Sequence, residues 1–304
     1  MVRLGAMGDI IHTLPAAAAL KQNHPNAELI WLVEPQWMAL LAGNPFVDRV
    51  IGMRRKSLGG LFATWRELRV LSCDFAVDFQ GLIKSAIPAA VAAPERVYGF
   101  HESQLRERAA GMFYSRKIAS NAVHVVDRNL DLALACGCGA ESPKRVFPLP
   151  QGSAEGELPP GDFVLASPLA GWRSKQWPLE YYETLAKRLK QELGMPLVLN
   201  GPPDSSLPHR SGLPGLIHAT RRAAAVVGVD SGPMHLAAAL GKPGVAIFGP
   251  TDPVRNGPYG NSLQVLRAPG TTTTYKRGGE IDESMRQVTP DQVFASLLAG
   301  SLAR

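Results

Sequence analysis

The segment from Val226 to Pro253, VVGVDSGPMHLAAALGKPGVAIFGPTDP, leaves little freedom to the fold around it. It reads as an apolar strand, a turn, a short helix, a second apolar strand and a Gly-Pro loop. Apolar strands alternating with helices signal a mostly parallel sheet covered on both faces. Ser231-Gly232-Pro233 occupies the strand-to-helix junction. Serine is a favoured N-cap, glycine admits a ligand to the backbone, and proline suits the first helical turn. The N–H groups there, at the positive end of the helix dipole, suit a phosphate or diphosphate. Such junctions are also common in α/β proteins that bind nothing there, so other motifs must decide.

The alternation runs through the whole chain. Met1–Leu4 can supply only part of a strand before the Gly5-Ala6-Met7-Gly8 turn, and Ile10–Asn23 reads as a helix interrupted near its start by Pro15. Strands are expected over 28–34, 47–53 and 75–79, a short helix over 35–42 and a longer one over 61–71. Between Ser142 and Pro160, Pro143, Pro148, Pro150, Pro159 and Pro160 cluster with glycines, which places a linker there. The expected domains are therefore 1–150 and 151–304. The second carries strands over 163–167, 196–199, 226–229, 245–248 and 263–266, with helices over 179–193 and 216–225. A closing helix over 290–302 is expected to pack back on the first domain. Asn200–Pro214 is too rich in Pro and Gly for a helix, so one crossover helix is expected to be missing. Thr271–Gly279 reads as a mobile polar loop. Two similar lobes of this kind usually hold their ligand between them, beyond the strand carboxyl ends.

A length of 304 residues suits two domains, and the net charge of +6 is compatible with nucleic acid, an anionic membrane surface or a phosphorylated substrate. No long Lys/Arg tract or RNA-binding aromatic signature favours nucleic acid. Cys73, Cys136 and Cys138 lack CxxC spacing and fit buried thiols in a reducing compartment. No segment reaches the roughly 18 apolar residues of a membrane helix, and no secretion signal opens the chain, so a cytoplasmic location is expected.

Several side chains are candidates for chemistry. Asp9, after the glycine turn, is either an N-cap for the first helix or a general base for a substrate hydroxyl. His12, one turn on, would orient Asp9, meet substrate or be structural. GAMGD is not GxGxxG and no GxxxxGK[ST] is present, which argues against a dinucleotide fingerprint and a P-loop. In Ala170–Pro178, Arg173 and Lys175 suit diphosphate oxygens and Gly171 leaves room for them; the alternative is a solvated loop with Trp177 in the core. Asp230 is a turn former or a ligand contact, and His235 a ligand contact or a core histidine. Thr251, in the loop after the next strand, offers a hydroxyl. In the first half Arg54, Arg55, Lys56, Lys84, Arg106, Arg108, Arg116 and Lys117 are either solvated groups or the rim of an anionic acceptor's site. Gln80 and Lys84, directly after strand 75–79, are the best placed.

Taken together, GDIIHTLPA (8–16), FQGLIKSA (79–86), AGWRSKQWP (170–178), DSGPMHLAAALGKP (230–243) and FGPTDP (248–253) resemble the heptosyltransferases of lipopolysaccharide inner-core synthesis. The GDxxHTLPA form is most similar to the branch that adds the first heptose. The resemblance implies an α/β protein of GT-B architecture, two Rossmann-like doubly wound domains facing across a cleft, the first for acceptor and the second for donor. It implies inverting transfer of L-glycero-D-manno-heptose from ADP-heptose to Kdo of Kdo-lipid A, with peripheral contact at the inner leaflet of the inner membrane. Asp9 then matches the general base, and Lys175, Asp230, Ser231, Gly232 and His235 match the donor motifs, beside Gly171, Arg173 and Thr251. His12, Arg54, Arg55, Lys56, Gln80, Lys84, Arg106 and Arg108 would meet the acceptor. No cofactor or metal is expected beyond the donor itself. The chain departs from the family at 200–214, where Asp204 replaces an acidic donor-contacting loop, at Ala170-Gly171, where some members have threonines, and around Tyr275–Met285, where tail cysteines are missing. Ribose and adenine recognition stay open on that account. Other readings are a GT-B enzyme for a different nucleotide sugar, an epimerase, whose acidic and histidine groups would converge on the donor sugar, and a non-catalytic nucleotide-sugar-binding protein.

Overall fold

A computed structural model of the protein describes residues 1–137, 144–300 and 302. The chain forms two compact units, Met1–Pro150 and Gln151–Arg304. Ser142 and Pro143 of the expected linker, and Cys138, lie outside the described residues; Cys73 and Cys136 are free thiols.

The first unit has strands β1 (Ile30–Val33), β2 (Arg49–Gly52), β3 (Ala76–Asp78), β4 (Val97–Phe100) and β5 (Arg116–Ile118), all paired in parallel. Residues near the N-terminus join the two groups. Val2 bridges Leu32 on one side and Asp78 on the other, with its N–H donating to the Val77 carbonyl at 2.8 Å. The order is therefore β2-β1-Val2-β3-β4-β5, which in chain order is 3-2-1-4-5-6, the doubly wound arrangement. A fragment of strand suffices because Val2 and Leu4 are core residues.

Helices α1 (Met7–Ile11), α2 (Leu14–Asn23), α3 (Leu58–Arg69), α4 (Ile83–Ala92) and α5 (Val125–Leu134) surround this sheet. The single helix expected over 10–23 is two. Pro15 has no N–H and fits only a first turn, so the chain restarts at Leu14. The break is satisfied from outside: Thr13 Oγ1 donates to the Asp9 carbonyl at 2.8 Å, and Asn129 of α5 donates to the His12 carbonyl at 3.1 Å. Pro35–Leu41 is a 3-10 helix that buries Leu40 and Leu41.

The second unit has strands β6 (Val164–Ser167), β7 (Leu197–Gly201), β8 (His209–Arg210), β9 (Ala225–Val229), β10 (Gly244–Phe248) and β11 (Leu263–Arg267). They form one parallel sheet, β11-β10-β9-β6-β7-β8, again 3-2-1-4-5-6 in chain order. Every residue of β9 and β10 is buried, hence their unbroken apolar sequence. The helices are α6 (Leu179–Leu193), α7 (Leu213–Arg222), α8 (Gly232–Ala239), α9 (Pro253–Asn256), α10 (Glu283–Arg286) and α11 (Pro290–Gly300). As expected, no helix crosses from β7 to the next strand. That strand, β8, is short and was not foreseen; Ser211 ties it down, donating from its N–H to the Gly201 carbonyl at 3.0 Å and from Oγ to Asn200 Oδ1 at 2.9 Å.

The closing helix, α11, buries Val293, Phe294 and Leu297 in the core of the second unit. In the 271–279 loop, Thr274 N–H donates to the Pro250 carbonyl at 2.7 Å and Arg267 Nη2 to Thr273 Oγ1 at 2.9 Å.

Candidate active site

In the second unit the strand order reverses between β6 and β9, and ligands of open α/β sheets bind at such a switch point, beyond the strand carboxyl ends. The loop after β6 carries Arg173, Ser174 and Lys175 in a single 3-10 turn, held in place by Trp177, which is buried and donates to the Val288 carbonyl at 2.8 Å. The loop after β9 carries Asp230 and Ser231, and the loop after β10 carries Thr251.

These three loops meet on one carboxylate. Asp230 Oδ2 accepts from Lys175 Nζ at 2.5 Å and from Thr251 Oγ1 at 2.6 Å, while its Oδ1 lies 3.8 Å from His235 Nε2. The Asp230 and His235 side chains are 9% and 8% exposed, so the cluster is largely dry. A buried ion pair contributes little net stability and is better read as a positioning device. Lys175 Nζ has three N–H donors and Asp230 engages one oxygen, which leaves donors for an anion. The ammonium also sits 4.3 Å from the centre of the Trp172 ring, with the Arg277 guanidinium 5.5 Å from the same ring.

Ser231 stands at the N-cap of α8 but its hydroxyl makes no cap bond, and Oγ is buried without a partner. The first amides of the helix are those that helix geometry leaves without an intrahelical acceptor. A tetrahedral anion at this end would satisfy both. Gly171 is exposed, with no heavy atom within 4 Å of where a Cβ would stand; Arg173 is exposed and Gly232 half-buried.

In the first unit Asp9 is not an N-cap. It is the third residue of α1, and its Oδ2 reaches back to accept the Ala6 N–H at 3.0 Å. Its Oδ1 is 2.7 Å from Arg3 Nη2, and the Arg3 side chain is nearly buried while that of Asp9 is 45% exposed. Arg3 Nη1 also donates to the Phe79 carbonyl, so one guanidinium ties the first chain segment to the end of β3. Gln80 is in the same neighbourhood: its Oε1 accepts the Leu4 N–H at 2.7 Å. Behind it, buried Asp78 accepts from Tyr114 Oη at 2.6 Å, Ser85 Oγ at 2.8 Å and Gln80 N–H at 2.8 Å. Burial pushes the Asp78 carboxyl above the usual carboxylate range despite these bonds.

His12 is buried, its ring edge-on to His124 at 5.5 Å, where the end of α1 packs toward α5. Arg55 pairs with Glu34 at 2.6 Å, while Arg54 and Lys56 beside it are exposed. Lys84, Arg106 and Arg108 are exposed and near one another in the fold, since Glu107 Oε2 accepts the Ile83 N–H at the start of α4. Lys117 pairs with Glu102. Sequence reasoning missed Arg3, Trp172 and Arg277 as site groups. Trp172 and Arg277 stood within motifs already noted, whereas nothing adjacent to Arg3 marks its partner.

Two doubly wound parallel sheets in one chain, the second with an anion-suited strand-to-helix junction at its switch point, are the architecture of the GT-B class. Residues 61–282 match glycosyltransferase family 9 (heptosyltransferase). Lipopolysaccharide heptosyltransferase 1 of Escherichia coli O18:K1:H7 (strain RS218 / NMEC) is 30% identical over 299 residues, covering 89% of this chain and 91% of that protein. Its counterpart from Pseudomonas aeruginosa PAO1 is also 30% identical, over 86% of this chain and 81% of that one. The structure of E. coli heptosyltransferase WaaC with ADP superposes with a TM-score of 0.77 at 26% identity, covering 96% of each chain. The chain belongs to glycosyltransferase family 9.

Proposed function

We propose that the protein transfers L-glycero-D-manno-heptose, with inversion, from ADP-heptose to a Kdo hydroxyl of Kdo-lipid A in lipopolysaccharide inner-core synthesis. The relatives' name supports the sugar and pathway, and a second WaaC structure, with ADP-2-deoxy-2-fluoro heptose, supports the donor class (TM-score 0.75, 26% identity). The observation that carries the reading is the gathering of Lys175, Thr251 and His235 around Asp230 beside the unpartnered Ser231 hydroxyl.

Departure of ADP builds charge on the diphosphate. Lys175, the Ser231 hydroxyl and the first amides of α8 meet that charge without a metal, in a site where water screens little. On the acceptor side Asp9, held by Arg3 and the Ala6 amide, takes the proton from the attacking hydroxyl. Gln80 and the exposed Arg54, Lys56, Lys84, Arg106 and Arg108 suit the acceptor's carboxylates and phosphates. Because the acceptor is a membrane lipid, the protein works in peripheral contact with the bilayer; among the described residues no helix is long and apolar enough to cross one.

The test is turnover with ADP-heptose and Kdo-lipid A, against UDP- and GDP-sugars. Asp9→Ala is expected to lower kcat by about 10²–10⁴-fold, the usual scale for a lost general base, with ADP affinity unchanged and no effect of EDTA on the parent enzyme. Retained turnover in Asp9→Ala, or preference for another nucleotide, overturns the assignment.

A further inference from the structure

Helix α3 is amphipathic in an unusual sense. It buries only Thr64 and Leu68, with Leu68 packed in the core of the first unit. Its start is fixed by Ser57, whose Oγ accepts the Gly60 N–H at 3.1 Å, and by Thr64, whose Oγ1 accepts the Arg54 N–H at 3.2 Å. The helix is thus rigidly seated by one edge. The rest of its apolar surface faces outward: Leu58 is 86% exposed, Leu61 38%, Phe62 68% and Trp65 43%.

These four residues stand at i, i+3, i+4 and i+7 and form one stripe rather than scattered contacts. Val70, just past the helix end, is also exposed. Contiguous exposed aromatic and aliphatic groups on a soluble unit mark a surface that something covers. The charges around the stripe have one sign: Arg54, Lys56, Arg66 and Arg69 are exposed beside it. The nearest acid on the helix, Glu67, points to Arg49 at 3.7 Å.

We infer that α3 is the membrane-docking element of this protein, lying flat on an anionic phospholipid surface. Leu58, Leu61, Phe62 and Trp65 insert among the upper acyl chains, and Arg66 and Arg69 meet lipid phosphates. An apolar stripe with an interfacial Trp and flanking Arg and Lys is the composition that partitions into the headgroup boundary. Charge alone would give binding that salt abolishes; the stripe adds a salt-resistant part. The inference deepens the proposed function, since it names the surface that brings the enzyme to a lipid acceptor.

The test uses the full chain with unilamellar vesicles of phosphatidylcholine alone or mixed with phosphatidylglycerol, by co-sedimentation and by quenching of tryptophan fluorescence with brominated lipid. The parent protein is expected to bind the anionic vesicles, with some binding surviving 0.5 M salt, where the Debye length is only about 4 Å. Phe62→Ser/Trp65→Ser is expected to weaken vesicle binding about tenfold or more and remove the quenching, and Arg66→Ser/Arg69→Ser to weaken it at low salt only. Both variants should keep the parent's melting temperature and its turnover on a water-soluble, deacylated Kdo acceptor. Undiminished binding by Phe62→Ser/Trp65→Ser overturns the inference, as does a parent that ignores anionic vesicles. Self-association lost in that variant, without vesicle binding, would assign the stripe to a second copy. Absent turnover on the deacylated acceptor, with vesicle binding intact, would instead count against the proposed reaction and leave the docking surface standing.

Discussion

Ser231 stands at the N-cap of α8, yet its hydroxyl makes no bond to the helix. Losing an N-cap serine ordinarily costs about 0.5–2 kcal/mol of stability. Here there is no cap bond to lose, so Ser231→Ala is expected to leave unfolding stability within about 0.5 kcal/mol of the parent. ADP affinity should nonetheless drop by about 1 kcal/mol, roughly fivefold, the net worth of one hydrogen bond. Titration calorimetry and melting curves measure the two effects; a loss of stability with intact affinity would make Ser231 an ordinary cap. The candidate role of Ser231 was legible because its signal is local, a serine before Gly-Pro at a strand end. Arg3 was not, because its partners, Asp9 and Phe79, are brought to it by the sheet. For His12 spacing left three roles open, and its burial beside His124 of the segment leading into α5 comes from the packing of the unit, which spacing does not encode.

The turn between β3 and α4 depends on one buried carboxyl. Asp78 binds Gln80 and Gly81 amides on one oxygen and Ser85 and Tyr114 hydroxyls on the other. Desolvation raises its folded pKa above the ordinary 3.8, so the native state holds this proton to higher pH than the unfolded chain does. The stability linked to that proton is complete below 3.8 and is lost as pH rises through the raised value. Asparagine does not ionise. The urea midpoint of the parent minus that of Asp78→Asn is therefore expected to fall as pH rises from 3.8 upward, on top of a constant offset from the altered bonds. A difference that does not change with pH would show that the carboxyl is not perturbed. Among elements, β9, β10 and α6 were legible to within a residue or so, since burial on both faces or a clean helical period writes them in consecutive positions. The two-residue β8 was not: its pairing with β7 is secured by Ser211 and Asn200 rather than by strand-forming sequence.

At the scale of the molecule each unit has its own core, one built around Val2, Leu4 and Tyr114, the other around Trp177, Tyr182 and Phe294. Gly99→Ala should damage only the first, because a Cβ would stand 2.3 Å from the Tyr114 ring, a clash worth about 1–3 kcal/mol. Trp177→Phe should damage only the second, by removing the bond to Val288. Calorimetry is expected to show each substitution lowering a different transition, with ADP raising the one that Trp177→Phe lowers. If ADP raises the transition sensitive to Gly99→Ala, the donor belongs to the other unit. The α/β class and most strands and helices follow from the chain's own pattern, because apolar runs, helical spacing and proline placement act between near neighbours. Position in the sheet is another matter. Asp230 meets Lys175 across 55 residues and Thr251 across 21, and Arg3 meets Phe79 across 76. Such meetings need parallel strands in a particular order before any two of these side chains come within reach, and no rule of local spacing encodes that order.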